Sequence, residues 1–155
     1  MLTINPYQNV GNFNQNQNQR VSRKNIAFMA WQKTCFIIKP DAFERKLEQP
    51  IANYVLNGLK VKNVKLKKWP RKIMEAHYSD KSERSFFKPL ISYMTRGKAA
   101  AYEVEGEDAV SVVRNRCFNV RDEYGSLVDG ENLVHSSDSV ANAQIELPRF
   151  FPNKK

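Results

Sequence analysis

The chain has 155 residues, of which 41% are apolar, and a formal net charge of +9 at pH 7. This length suits one compact domain; no apolar run approaches the ~20 residues that span a bilayer and no secretory signal is evident, so we expect a cytoplasmic protein without membrane partners. The two cysteines, Cys35 and Cys117, are too few for a disulfide framework or a structural zinc site, and the basic balance favours anionic partners such as phosphate metabolites, nucleic acid or acidic surfaces.

The first part of the chain differs in composition from the rest. The stretch 12–20 is almost entirely Asn and Gln, and such a segment cannot bury enough apolar surface to offset the entropy of ordering. We therefore predict a disordered Asn/Gln-rich extension over residues 1–30 and one folded domain over residues 31–155.

The first half of this domain shows alternating strand and helix patterns. The apolar run Cys35-Phe36-Ile37-Ile38 predicts a strand buried on both faces. Asp41 and Glu44 have the spacing of a helix capping box, and residues 51–58 predict a second helical segment that ends at a glycine. Residues 59–69 alternate apolar side chains with lysine, which indicates a strand with one lysine-rich face, and a slip in the alternation at Asn63-Val64 indicates a bulge.

The second half continues the same alternation. Residues 86–94 predict an amphipathic helix, residues 99–104 a third strand, and residues 107–114 a short helix with acidic side chains at its positive end. Residues 133–135 predict a last short strand and residues 138–147 a final helix. The order β-α-β-α-β-α-β-α favours an α+β fold, the ferredoxin-like split βαβ sandwich, in which helices pack on an antiparallel sheet.

The two histidines of the chain lie in different settings. His77 is in a polar segment, typical of a surface residue. His135 ends a predicted strand and precedes Ser136-Ser137-Asp138-Ser139, where a helix begins. Such a position can combine a neutral imidazole nucleophile with an anion site at the helix N-terminus. On these local features alone, a histidine satisfied by the Ser/Asp cap is the simpler interpretation.

Residues 33–152 resemble the nucleoside diphosphate kinase family. The segment Asn132-Leu133-Val134-His135-Ser136-Ser137-Asp138-Ser139 is similar to the family's N-x-x-H-G/A-S-D-S active-site strand. Further matches, in order and near the family's spacing, are Ile38-Lys39-Pro40-Asp41, His77-Tyr78, Phe86-Phe87, Glu105-Gly106 and Glu146. The resemblance implies a kinase that moves the γ-phosphate of a nucleoside triphosphate to a nucleoside diphosphate by a ping-pong mechanism through a phosphohistidine.

The resemblance also implies roles for five catalytic residues. His135 is the expected nucleophile. Glu146 is expected to hydrogen-bond the imidazole and fix its tautomer, with help from Ser137. Lys39 matches the lysine that contacts the sugar hydroxyl and the transferring phosphate, and Tyr78 matches the tyrosine whose hydroxyl reaches the histidine and the phosphate.

For nucleotide binding, the resemblance places Asn132 on the sugar hydroxyl, Phe86 on the base, and Arg114 and Arg121 on the phosphates. Stacking on an aromatic ring does not read base edges, so all four bases should be accepted. Phosphoryl transfer depends on positioning and charge neutralisation. The two arginines and a Mg²⁺ ion carried by the nucleotide are expected to supply both, without a metal held by the protein.

One departure from the family lies between Arg114 and His135, where the chain is shorter than in typical members. The family's phosphate-contacting threonine has no counterpart, and Arg116 or Asn119 is a hypothetical substitute. Because the missing loop helps to pack subunits into trimers, we expect a homo-oligomer that is a dimer or a tetramer rather than a hexamer. In addition, Lys46 stands where the family has a glycine.

Two hypotheses compete with an active kinase. Seven basic residues and Trp69, with no acid among them, lie between Lys60 and Lys72, a composition that suits a nucleic-acid binding module. The solvent face of an edge strand accounts for the same run. The other alternative is a family member whose shortened loop has ended catalysis and which acts through a partner.

Overall fold

The computed structural model describes residues 30–153, so that the extension predicted for residues 1–30 lies almost entirely outside it. The elements in chain order are β1 (Trp31–Ile38), α1 (Pro40–Glu44), α2 (Glu48–Val55), β2 (Lys60–Lys68), α3 (Arg71–His77), α4 (Phe87–Thr95), β3 (Lys98–Glu107), α5 (Ala109–Tyr124), β4 (Val134–Ser136) and α6 (Val140–Phe150). A 3-10 turn, Ser79–Lys81, follows α3. No helix within the described range is long and apolar enough to cross a bilayer.

The four strands form one antiparallel sheet in the order β2-β3-β1-β4. Helices cover both of its faces, which is the predicted ferredoxin-like α+β arrangement. In β1, Cys35 and Ile37 pack with residues of α3, α4 and α6, whereas Phe36 and Ile38 pack with residues of α1, α2 and α5. Side chains alternate across a strand, so burial of both faces explains the continuous apolar run. Cys35 and Cys117 are free and fully buried.

The capping box predicted at the start of α1 is wrong. Lys39 occupies the N-cap position, and no side chain caps this helix. The carboxylate of Asp41 instead accepts hydrogen bonds from the hydroxyl of Tyr93 and the backbone N–H of Leu133, and Glu44 pairs with Arg96. A buried carboxylate satisfied by distant donors has no reason to fold back on its own helix.

The short helix predicted for residues 107–114 is also wrong in extent, because α5 runs on to Tyr124. Its buried side chains, Val110, Val113, Cys117 and Val120, recur at helical spacing well beyond Arg114, where the predicted helix ended. Consequently Arg114 and Arg121 belong to one continuous helix.

The edge strand β2 is exposed along its whole length, on both faces. It contains a register shift between Val61 and Asn63, so the predicted bulge exists but lies nearer the start of the strand than the Asn63-Val64 position that the sequence pattern indicated. Trp69, which follows it, is 3% exposed and donates its ring N–H to the carbonyl of Ala99 at 2.9 Å. A buried indole cannot stack on a base, so this aromatic does not support the nucleic-acid hypothesis.

Candidate active site

A cavity of about 580 Å³ lies at the end of β4. Seven of the nine predicted site residues line it, namely Lys39, Tyr78, Arg114, Arg121, Asn132, His135 and Glu146. Ser137 is fully buried behind it and reaches it through Glu146. Phe86 is 50% exposed at the start of α4 and is not part of the cavity wall.

The imidazole of His135 is held by a carboxylate. β4 pairs with β1, which places His135 opposite Ile37 and leaves its side chain 18% exposed. Its Nε2 lies 3.3 Å from Oε2 of Glu146. A carboxylate accepts a hydrogen bond but does not donate one, so the ring proton belongs on Nε2. Nδ1 is then left with a free lone pair.

Ser137 ties this carboxylate to the sheet. Its hydroxyl donates to Oε2 of Glu146 at 2.5 Å and accepts from the backbone N–H of Cys35 at 3.1 Å. The backbone N–H of Ser137 donates in turn to the carbonyl of Cys35 at 3.1 Å. Strand β1 therefore fixes, through Ser137, the orientation of the Glu146 carboxylate that contacts His135.

Burial lowers the pKa of both His135 and the neighbouring Lys39. Burial lowers the pKa of His135 below the usual 6.5, although Glu146 partly opposes this shift. Burial, together with the charge of Arg121, lowers the pKa of Lys39 to about 7. The Nζ of Lys39 donates to Oδ1 of Asn132 at 2.7 Å, and within the described range it makes no carboxylate ion pair. A buried ammonium in this state is stabilised by an incoming anion.

Asp41 supports the site, a role that the sequence interpretation missed when it assigned this residue to helix capping. Leu133, the residue before β4, has φ of +69°, a left-handed conformation that costs a branched residue roughly 1–2 kcal/mol. The carboxylate of Asp41 accepts a hydrogen bond from the backbone N–H of Leu133 at 3.1 Å. The carbonyl of Leu133 accepts one from the backbone N–H of Lys39 at 2.8 Å. These bonds hold the turn that presents Asn132 and His135 to the cavity.

Arg114 and Arg121 project from one face of α5. Their guanidinium carbons lie 5.3 Å and 5.6 Å from the ring centroid of Phe118, which stands between them. Arg121 also donates from Nη2 to the carbonyl of Val134 at 2.7 Å and so joins α5 to β4. Two cations therefore face the cavity from a single rigid element.

The proposed substitutes for the missing threonine are wrong. Arg116 donates to the carbonyls of Val55 and Asn57 at 2.9 Å and 2.7 Å, and Asn119 donates to the hydroxyl of Tyr54 at 2.7 Å. Both side chains bind α2 and its C-terminal end, and neither lines the cavity. Helix periodicity explains this, because two and five residues beyond Arg114 lie on other faces of α5.

The interpretation of His77 as a surface residue is wrong. Its side chain is buried, with a ring centroid 4.5 Å from that of His135 and 4.5 Å from that of Tyr78. Burial, reinforced by His135, lowers the pKa of His77 well below the usual 6.5. Its spacing from Met74, three residues earlier on α3, was the signal for burial, because both lie on the same helix face.

Taken together, these groups suit phosphoryl transfer. A neutral imidazole offers a lone pair, and Lys39, Arg114 and Arg121 surround it with positive charge. Burial raises the pKa of Tyr78, so its hydroxyl remains a donor, and it has no partner among the described residues. A nucleophile surrounded by cations is what an in-line attack on a charged phosphoryl group requires.

Comparisons with known proteins point to one family. A family model described as nucleoside diphosphate kinase matches residues 32–155. A nucleoside diphosphate kinase of Saccharolobus islandicus (strain L.S.2.15 / Lassen #1) is 35% identical over 134 residues, covering 79% of this chain and 96% of the relative. One from Clostridium perfringens (strain 13 / Type A) is 37% identical over 134 residues, covering 80% and 94%.

Solved structures show the same similarity. The orthorhombic crystal form of the Aquifex aeolicus nucleoside diphosphate kinase has a TM-score of 0.70 and 29% identity, covering 80% of this chain and 97% of that one. The apo, cubic-form nucleoside diphosphate kinase from Encephalitozoon cuniculi has a TM-score of 0.69 and 30% identity, covering 79% and 90%.

Proposed function

The chain belongs to the nucleoside diphosphate kinase family and acts as a nucleoside diphosphate kinase, and from this premise we propose that His135 carries the phosphoryl group between the two nucleotides. The observation that supports this assignment is the 3.3 Å approach of its Nε2 to Glu146 in a cavity lined by cations. With the proton on Nε2, the lone pair on Nδ1 is the nucleophile.

The transfer then has two balanced halves. Nδ1 of His135 attacks the γ-phosphorus of a nucleoside triphosphate, an N–P bond forms, and the bond to the bridging oxygen breaks, releasing a nucleoside diphosphate. The proton stays on Nε2, where the Glu146 carboxylate stabilises the positive ring, and Ser137 holds that carboxylate in place. In the second half, a terminal phosphate oxygen of another nucleoside diphosphate attacks the phosphorus on His135. An O–P bond forms, the N–P bond breaks, and the neutral imidazole is restored.

The remaining predicted residues bind the nucleotide in this proposal. Lys39, Arg114 and Arg121 neutralise the phosphates, and Tyr78 donates to the transferring group. Mg²⁺ arrives as part of the nucleotide substrate, because this ion prefers phosphate and water oxygens and keeps much of its hydration. The sugar hydroxyl binds Lys39 and Asn132, which already contact each other at 2.7 Å.

We propose Phe86 as the base-stacking residue. Half of its side chain is exposed, which leaves a ring face available outside the phosphate-binding cavity. Stacking alone distinguishes bases poorly, so exchange should proceed with all common nucleosides. The partners of the enzyme are accordingly nucleoside triphosphates and diphosphates, and on that ground we propose the cytoplasm as its location, with no requirement for nucleic acid.

We propose a homodimer, or a tetramer built from two such dimers, in place of a hexamer. The edge strand β2 exposes Val61, Val64 and Leu66 by 40%, 53% and 54%. An edge strand with apolar side chains and free backbone groups pairs readily with a second copy. Sedimentation of the full chain should give a dimeric or tetrameric mass, and the assembly should dissociate when Leu66→Lys adds charge to this strand. A hexameric mass would contradict the proposal.

The phosphohistidine is tested by labelling. Tag-free protein, Mg²⁺ and γ-labelled ATP should yield acid-labile, base-stable phosphate on the wild type, and any nucleoside diphosphate should discharge it. His135→Gln should remain unlabelled, and because this variant keeps His77, it also tests whether the second imidazole can accept phosphate. Wild-type protein that stays unlabelled under conditions that charge a known member would exclude the assignment.

A further inference from the structure

Three side chains at the active site have the composition of a metal site. His77, His135 and Glu146 each offer one ligand atom, and these atoms all lie within 4.8 Å of one another. All three line the same cavity, which gives an ion and its water a path of entry. The proposed phosphoryl transfer uses His135 and Glu146 but assigns nothing to His77.

His77 lacks a partner for its polar atoms. Its side chain is 6% exposed, and neither ring nitrogen has a hydrogen-bond partner among the described residues. Buried polar groups are nearly always satisfied, and leaving one unpaired costs about 1–3 kcal/mol. The ring stands 4.5 Å from that of His135, centroid to centroid, at an interplanar angle of 83°.

We propose that His77, His135 and Glu146 bind a borderline divalent transition metal ion, of which Zn²⁺ is the probe, and that this ion blocks phosphorylation. Two imidazoles and a carboxylate, with a fourth position open to water, form a common donor set for zinc. Nε2 of His135 and Oε2 of Glu146 are already 3.3 Å apart, close to the roughly 3.3 Å edge of a tetrahedral site with ~2.0 Å bonds. His77 completes the set, because the ligand atoms of the three residues all lie within 4.8 Å of one another.

Mg²⁺ should not compete for this site. It demands oxygen ligands and near-octahedral geometry and dehydrates reluctantly, whereas imidazole suits zinc and its neighbours in the transition series. The ion that accompanies the nucleotide and the ion bound by the histidines are therefore separated by ligand preference.

Metal binding and phosphorylation exclude each other through the tautomer of one ring. A metal at Nε2 of His135 uses the lone pair of that nitrogen, so the neutral ring carries its proton on Nδ1 and has no lone pair for attack. Phosphorylation at Nδ1 conversely requires the proton on Nε2, which leaves nothing there to coordinate a metal. This inhibition rests on the proposed role of His135, whereas the binding of the ion does not.

Calorimetric titration with Zn²⁺, without nucleotide, tests the binding. The full chain is used without a histidine tag, because it has only two histidines of its own. We expect one ion per chain, and His77→Gln should weaken binding by more than the roughly 10–100-fold that loss of an outer-shell partner costs. Glu75→Gln is the matched control on the same helix, since Glu75 pairs with Arg71 at 2.7 Å, and it should bind as the wild type does. Unchanged zinc affinity in His77→Gln would overturn the site.

Long-range ¹H–¹⁵N spectra of the wild type provide a second test that needs no variant. Each imidazole gives its own pattern, and stoichiometric Zn²⁺ should shift the ring nitrogens of both His77 and His135. A shift of one ring alone, or of neither, would overturn a shared site even if His77→Gln failed to fold.

The exclusion is tested by labelling after zinc loading and removal of free metal. Zinc-loaded protein should label with γ-labelled ATP only after a chelator is added, and prephosphorylated protein should bind no zinc. Full labelling of zinc-loaded protein would overturn the exclusion. Absence of labelling in zinc-free wild type would instead contradict the proposed function, and the calorimetric result would still decide the metal site.

Discussion

Ser137 donates its hydroxyl proton to Glu146 at 2.5 Å, through the same carboxylate oxygen that faces Nε2 of His135. The serine is fully buried and is bonded in both directions to the backbone of Cys35. A buried side chain that does not line the cavity therefore orients His135, the proposed nucleophile, through Glu146.

Ser137→Ala should slow phosphorylation of His135 by roughly 10–100-fold, the usual effect of losing an outer-shell partner, with little change in nucleotide affinity. Rapid-quench single turnovers with labelled ATP measure the rate. Ser139→Ala is the control, because Ser139 caps α6 by accepting from the N–H of Asn142. It should lose about 1 kcal/mol of unfolding free energy without slowing the chemistry. Equal slowing in both variants would contradict a positioning role for Ser137.

The phosphorylation rate should fall on the acid side at a pH below 6.5. Attack needs the neutral ring, and the pKa of His135 is lowered by burial and partly restored by Glu146. In Glu146→Gln the restoring charge is absent, so the acid limb should move to still lower pH while the plateau rate drops. Initial labelling rates across pH give both profiles. An acid limb that moves upward in Glu146→Gln would be inconsistent with this electrostatic account.

Arg114→Ala and Arg116→Ala should separate binding from stability on one helix. Arg114 lines the cavity, and loss of a charged phosphate contact worth about 1.5–3 kcal/mol should lower kcat/KM by roughly 10–100-fold. Arg116 instead satisfies two carbonyls at the end of α2, so its removal should lower the unfolding free energy by about 1–3 kcal/mol and leave kcat/KM unchanged. Steady-state kinetics and urea denaturation measure the two effects, and the reverse pattern would show the cavity assignment to be wrong.

Lys39→Met should abolish labelling and stabilise the nucleotide-free protein by about 0.5–2 kcal/mol. The pKa of Lys39 is about 7 in the folded protein, against 10.5 for the free side chain. The unfolded chain therefore binds an extra proton between these values, and wild-type stability falls as pH drops through that window. The gain in unfolding free energy of Lys39→Met over the wild type should therefore be larger at pH 7 than at pH 10. Lys81→Met, at an exposed cavity position, is the control, and an equal gain there would remove the explanation.

Lys46→Gly should raise the unfolding free energy by about 0.5–1 kcal/mol. Lys46 has φ of +56°, a conformation that costs a residue with a Cβ roughly 1–2 kcal/mol. Glycine avoids this cost, but it loses more backbone entropy on folding, so only part of the gain remains. The same change at Lys88, in the first turn of α4, relieves no left-handed backbone and should destabilise by a few tenths to about 1 kcal/mol. Thermal unfolding compares the pair, and a loss of stability in both variants would refute the strain.

The parts of the fold that follow from local pattern were predictable, and those that depend on distant partners were not. The apolar run of β1 and the order of elements needed only periodicity, and the site residues followed from short motifs. The role of Asp41 at the site was not predicted because its backbone partner, Leu133, lies 92 residues away. The burial of His77 depends on its packing against His135 of β4, which the local sequence does not show. The polar residues 114–116 interrupt the apolar pattern, so the predicted helix ended too early.

The continuity of α5 has a consequence for selectivity. Arg114 and Arg121 are two turns apart on one helix, a rise of about 10.5 Å, so their spacing does not depend on a loop that closes. If both cations bind phosphates as proposed, their fixed separation selects a polyphosphate tail long enough to contact both. A nucleoside monophosphate is too short to contact both arginines, so the enzyme should bind it weakly, with no need for a conformational change to exclude it.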